Sequence, residues 1–168
     1  DNTTGVHNCA FGHDSLRENT TASYNTAVGY QSLSVVTTSS ANAAFGYQAL
    51  KSNTTGGNNT AMGHKAFEDL TTGTHNCAFG HDCAKNATTG SNTTAMGVDC
   101  LTALTTGSGN TAFGRLSGSG VSTGVDNVFI GQQAGHTQGN LSNNLFIARD
   151  NTGSNVASSW IYGNSSGA

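Results

Sequence analysis

The chain has 168 residues, a formal charge of −3, 9% charged residues, 23 glycines and no proline. Six Lys and Arg in total are too few for the clustered basic surface that nucleic acid requires, and no run of roughly eighteen apolar residues offers a membrane span. Large apolar side chains are too scarce and too evenly spread to fill one central core, so the composition is unlike that of an ordinary globular enzyme and predicts a core that is thin and long.

Neither end reads as a signal peptide. Asp1 stands where an initiator Met would and falls in mid-repeat, which predicts a piece of a longer chain.

Along the chain, a glycine recurs every seventeen residues at Gly12, Gly29, Gly46, Gly63, Gly80, Gly97, Gly114 and Gly131, with Ala148 closing the series. Such a period is the signature of a stacked repeat. Four residues before each glycine stands Asn8, Asn25, Asn42, Asn59, Asn76, Asn110, Asn127 or Asn144, with Thr93 as the one substitute. Two before it is Ala in seven turns, then Phe129 and Phe146. Immediately before it lies Phe11, Val28, Phe45, Met62, Phe79, Met96, Phe113, Ile130 or Ile147, taken as the apolar core column.

After the glycine, Leu16, Leu33, Leu50, Phe67, Ala84 and Leu101 occupy the fourth position, which becomes glycine at Gly118 and Gly135. A second punctuation follows as Thr-Thr-Gly at residues 54–56, 71–73, 88–90 and 105–107. Each repeat therefore reads as strand, glycine turn, second strand, glycine turn. Segments this short and this rich in Thr, Asn and Ser disfavour helix.

The predicted fold is all-β: a parallel β-solenoid, or β-roll, over residues 1–148. About nine turns spaced ~4.8 Å apart make a rod ~43 Å long. Like residues then stack in ladders, and the Asn and Thr columns are expected to pair side chain to side chain along the axis. Residues 149–168 lose the register and read as an exit or cap ending in Trp160-Ile161-Tyr162-Gly163. The octamer His-Asn-Cys-Ala-Phe-Gly-His-Asp occurs at 7–14 and again at 75–82, which suggests repeat expansion.

In a strand the Ala column and the Phe/Val/Met/Ile column face opposite sides. One lines the coil, so the other calls for a cover, which self-association along the rod supplies; the competing reading leaves a small Ala column facing water.

The repeat accounts for nearly every polar residue, so no catalytic, cofactor-binding or metal residues are assigned. Cys83 and Cys100 share a column in adjacent turns and are candidates for a disulfide; the competing reading makes them small buried substitutes for Ser32, Ala49 or Ala66. Cys9 and Cys77 lie four turns apart. His7 with Cys9, and His75 with Cys77, share a side of their strands, with His13 and His81 beyond the turn, and read as turn and surface residues. Asp14, Asp82, Asp99 and Asp150 read as scattered surface charge. Tyr24, Arg115, Trp160 and Tyr162 break their surroundings. Asn-x-Thr/Ser sequons, among them those at Asn2, Asn19, Asn53, Asn58, Asn86, Asn92, Asn140 and Asn164, mean glycans only where the producing cell makes them.

The motifs Asn-Thr-Ala-Phe-Gly (110–114) and Asn-Thr-Ala-Val-Gly-Tyr-Gln-Ser-Leu (25–33) resemble the repeats of phage and viral tail-fibre proteins. They are also similar to the Asn-Ser-Val-Ala-Ile-Gly repeats in the heads of trimeric autotransporter adhesins. Residues 143–148, followed by 161–163, resemble the point where such fibres leave their repeats. The resemblance implies a side-by-side homotrimer in an extracellular or virion fibre, with weak multivalent binding of a host glycan or protein. The period is longer here than in the adhesin heads and the motif one residue shorter, so handedness and trimer packing do not carry over. An end-to-end filament subunit, an ice-binding solenoid suggested by the Thr ladders, and last a polysaccharide-cleaving enzyme are the competing readings.

Overall fold

A column of asparagines, buried from Asn25 onward and interrupted only by Thr93, organises the turns of the chain. In the computed structural model, which describes residues 2–148 and the backbone of 159–164, Asn25 Oδ1 accepts the backbone N–H of Asn42 (2.9 Å), and Asn42 Oδ1 that of Asn59 (3.0 Å). The amide nitrogen reaches the same following turn: Asn59 Nδ2 donates to the Gly73 carbonyl, Asn76 Nδ2 to that of Gly90 and Asn110 Nδ2 to that of Gly124, each at 2.8 Å. The ladder thus runs mainly from side chain to backbone rather than amide to amide as expected. The exception is Asn127 Nδ2, which donates to Asn110 Oδ1 (2.9 Å). A buried amide that bonds the following turn through both its oxygen and its nitrogen offsets its own desolvation and that of the backbone groups it meets.

With Asn held inside, strand alternation decides the rest. The residue two after it also points inward and its neighbours point out. Nine short strands follow: β1 (Cys9–Phe11), β2 (Thr26–Val28), β3 (Ala43–Phe45), β4 (Thr60–Met62), β5 (Cys77–Phe79), β6 (Thr94–Met96), β7 (Thr111–Phe113), β8 (Val128–Ile130) and β9 (Asn144–Ala148). They pair in parallel and in sequence order, Ala27 on Ala44 and Ala44 on Ala61, for example. The result is an all-β solenoid of about eight turns, one fewer than the nine expected when Ala148 is counted as a repeat, because β9 begins a turn that the described chain does not complete. A tenth strand, β10 (Ser159–Asn164), returns antiparallel along β9, with Tyr162 opposite Phe146 and Asn164 opposite Asn144. Residues 149–158 and 165–168 of the expected exit segment lie outside the described residues.

The apolar core column is misplaced in the sequence reading. Ala27, Ala44, Ala61, Ala78, Ala95 and Ala112 are fully buried, whereas Phe11, Phe79, Phe113 and Ile130 are exposed and Val28, Phe45, Met62, Met96 and Ile147 half-buried. The cause is the parity imposed by Asn, reinforced by volume. The opposite wall supplies Leu33, Leu50, Phe67 and Leu101, all fully buried, and a further column contributes Val36, Leu70, Leu104 and Val121. Little depth remains for anything larger than Ala on the strand side.

The second strand of each repeat is also absent among the described residues; a ladder of turns takes its place. Residues two and four after each glycine adopt left-handed backbone: Gln31 and Leu33 have φ of 53° and 48°, and Gln48 and Leu50 55° and 51°. Left-handed residues alternating with others aim successive amides at opposite neighbours. Gln31 N–H donates to the His13 carbonyl of the preceding turn (2.9 Å), and Leu33 N–H to the Ala49 carbonyl of the following one (3.1 Å). A left-handed Leu costs about 1–2 kcal/mol, which an inter-turn bond and a buried side chain offset. At Gly63, φ is +139° and an added Cβ would fall 2.7 Å from the Gly80 carbonyl carbon, so the first punctuation is held as glycine by stacking as well as by dihedral.

Candidate functional surfaces

Two columns run along the outside of the rod. The first is the outward row of the strands, from Phe11 through Phe113 to Ile147, spread over eight inter-turn steps, roughly 38 Å at ~4.8 Å each. Beside it, two residues back, stand Thr26, Ala43, Thr60, Cys77, Thr94 and Thr111, so the face is apolar along one edge and small or hydroxylic along the other. Phe11 is 75% and Phe113 56% exposed. An unbroken ribbon of this kind exceeds what scattered surface residues produce.

The second column follows the glycine and is aromatic: His13, Tyr30, Tyr47, His64 and His81 stack face to face, with centroids 5.5, 5.3, 5.1 and 4.6 Å apart and interplanar angles of 15° or less. The in-register ladder imposes this stacking. The inner rings of Tyr30, Tyr47 and His64 are therefore covered on both faces and present their edges. From sequence His13 and His81 read as turn and surface residues; the signal that would have found the column was the same seventeen-residue spacing applied one position later. A shorter stack joins His7 to Tyr24 (5.0 Å).

The cysteines divide by environment. Cys9 is exposed and Cys77 half-buried, while Cys83 and Cys100 are buried in adjacent turns, all four as free thiols. Cys83 Sγ donates to the Ala95 carbonyl (3.3 Å) and Cys100 Sγ to that of Ala112 (3.5 Å). The structure thus holds the candidate disulfide as a stacked dithiol. A hydrogen bond with Cys83, then burial, raises the Cys100 thiol far above its ordinary 9.0; burial, with the neighbouring Cys83, raises Cys77. These thiols stay protonated and are poor nucleophiles and poor ligands.

His7 and Cys9, and His75 and Cys77, are not joined by a third ligand among the described residues; the group that does converge is His64, His81 and Asp82. Asp14 lies 3.3 Å from His13 Nδ1 and 3.4 Å from Arg17. Asp99 donates its N–H to the His81 carbonyl (3.0 Å). Arg115 is exposed and follows Val98 in the aromatic column. Asp150 and the side chains of Trp160 and Tyr162 lie outside the described residues. Glu68, nearly buried, takes Lys65 (3.3 Å) and Lys85 (3.8 Å). The first Thr of the second punctuation has its hydroxyl engaged: Thr71 and Thr88 donate to carbonyls one turn on, at 3.0 and 3.1 Å.

No protein-family model, curated protein or solved structure matches this chain. The surfaces themselves carry the functional argument.

Proposed function

We propose that this chain is a structural and adhesive segment of an extracellular or virion fibre, assembled as a side-by-side homotrimer and presenting repeated weak contacts to a host-surface glycan or protein. The observation that carries the reading is the row of Phe11, Phe79, Phe113 and Ile130, exposed along one side of the rod. Second copies of the same rod carry the same row at the same spacing, so association buries like against like over its whole length. Association is also the cheapest way for this composition to bury large apolar side chains, since the interior accepts mainly Ala and Leu.

The mechanical character follows from the inside. The buried Asn bonds backbone of the following turn through its oxygen and its nitrogen and the half-buried Thr through its hydroxyl, so each turn is fastened to the next by side chains as well as by backbone. Such a rod resists local opening and spaces any bound ligand at fixed intervals, which favours multivalent attachment over one tight site. Antiparallel β10 occupies the free edge of β9, which favours side-by-side over end-to-end assembly. The test is the solution mass by light scattering of the chain and of a Phe79→Lys/Phe113→Lys variant. A species near three times 17.0 kDa that the variant reduces to a folded monomer supports the reading, and a wild-type monomer overturns it.

A further inference from the structure

We propose that His64, His81 and Asp82 form a surface site for a divalent transition-metal ion of the zinc class. Three independent side chains bring ligand atoms to within 4.8 Å of one another. Asp82 Oδ1 lies 3.2 Å from His64 Nδ1 and 3.6 Å from His81 Nδ1, so both imidazoles offer the same ring nitrogen to one carboxylate oxygen.

The rod holds the group together. His64 and His81 occupy equivalent places in consecutive turns, directly after Gly63 and Gly80, and the Asp82 N–H donates to the His64 carbonyl (2.9 Å). The α-carbon frame of the three ligands is therefore set by inter-turn backbone bonds before any ion arrives, and ligation orders little more than side chains. Lys65, which precedes Asp82 in its column, pairs with Glu68 (3.3 Å) instead, leaving the carboxylate to the two histidines.

Two imidazoles and a carboxylate suit zinc, nickel or copper better than calcium or magnesium, which take all-oxygen shells. The rings stack at 7°, so their in-plane lone pairs run parallel. Binding rotates each ring toward the carboxylate and gives up that stack, and the exposed rim leaves room for water to complete the shell. The site is accordingly labile and exchangeable. Tyr47, stacked on His64 at 5.1 Å, limits the outward swing of that ring.

The test titrates the full chain with zinc chloride alone and follows imidazole nitrogen resonances by NMR, with affinity from calorimetry. Saturable shifts confined to His64 and His81 are expected. Affinity should fall about tenfold or more in His64→Ala and in His81→Ala, less in Asp82→Asn, and remain unchanged in His13→Ala, which belongs to the same stack but not to the group. All four positions are on the surface, and far-ultraviolet circular dichroism checks that the fold is retained. The proposal is overturned if zinc leaves the two rings unshifted, or if a His64→Ala/His81→Ala double variant keeps wild-type affinity, which would place the ion elsewhere, as at the exposed Cys9 thiol.

Discussion

Gly118 and Phe129 fill one another's space: a Cβ on Gly118 would stand 2.8 Å from Phe129 Cδ2. In the preceding turns the wall carries Leu33, Leu50 or Leu101 and the strand carries Ala. Here the large residue has moved to the strand and the small one to the wall. Phe129 then stacks on Phe146 at 5.4 Å, so the exchange continues into the last turn. Phe129→Ala should cost about 3 kcal/mol through the cavity it leaves, and Gly118→Leu about 1–3 kcal/mol through overpacking. The double variant, which restores the Leu101/Ala112 arrangement, should recover most of the loss. A double-mutant cycle in urea measures the coupling, and additive losses would mean that the two sites do not share a volume.

Thr93 is the weak rung of the asparagine ladder. Its hydroxyl is buried and has no hydrogen-bond partner, although its N–H is taken by Asn76 Oδ1 (2.9 Å). Thr93→Asn should let the new amide serve the Asn110 N–H and the Gly107 carbonyl, as Asn76 and Asn110 do in their own turns. Stability should rise by about 1 kcal/mol, read as a higher urea midpoint.

Asn59→Ala removes the opposite kind of group. It strands the Asn76 N–H and the Gly73 carbonyl at once. A loss of about 3 kcal/mol follows from two buried unsatisfied groups. Asn59→Asp, which keeps the acceptor but has no amide donor, should still be destabilising at neutral pH, and equilibrium unfolding ranks the two.

Thiol titration should separate the cysteines. At pH 8 a disulfide reagent should modify Cys9 rapidly, Cys77 more slowly, and Cys83 and Cys100 only on unfolding. Because folding raises the Cys77 and Cys100 thiols above 9.0, the folded chain holds those protons more tightly than the unfolded one. That contribution to stability is present below about pH 9 and is lost as pH rises beyond it. An unfolding midpoint that does not fall between pH 8.5 and 10.5 in the wild type relative to a Cys77→Ser/Cys100→Ser variant would contradict the assignment.

Much of this molecule was legible in one dimension. The seventeen-residue period of Gly12 through Gly131 determined a stacked coil, because in-register turns must repeat their residues, and it set the Asn, Ala and Phe columns each in line along the axis. The candidate surfaces were written there as well, at Phe11 and at His13, although the period was not followed to the aromatic column. Only the tertiary structure decided which strand face lies inside. Both Ala and Phe are apolar, and the choice depends on the volume left by Leu33, Leu50 and Leu101 across the coil, a distance that no local pattern contains. It also decided that the second side is a ladder of left-handed turns. Gln31 and Leu33 have no intrinsic preference for that backbone and adopt it because the turns above and below supply the hydrogen bonds that offset its cost.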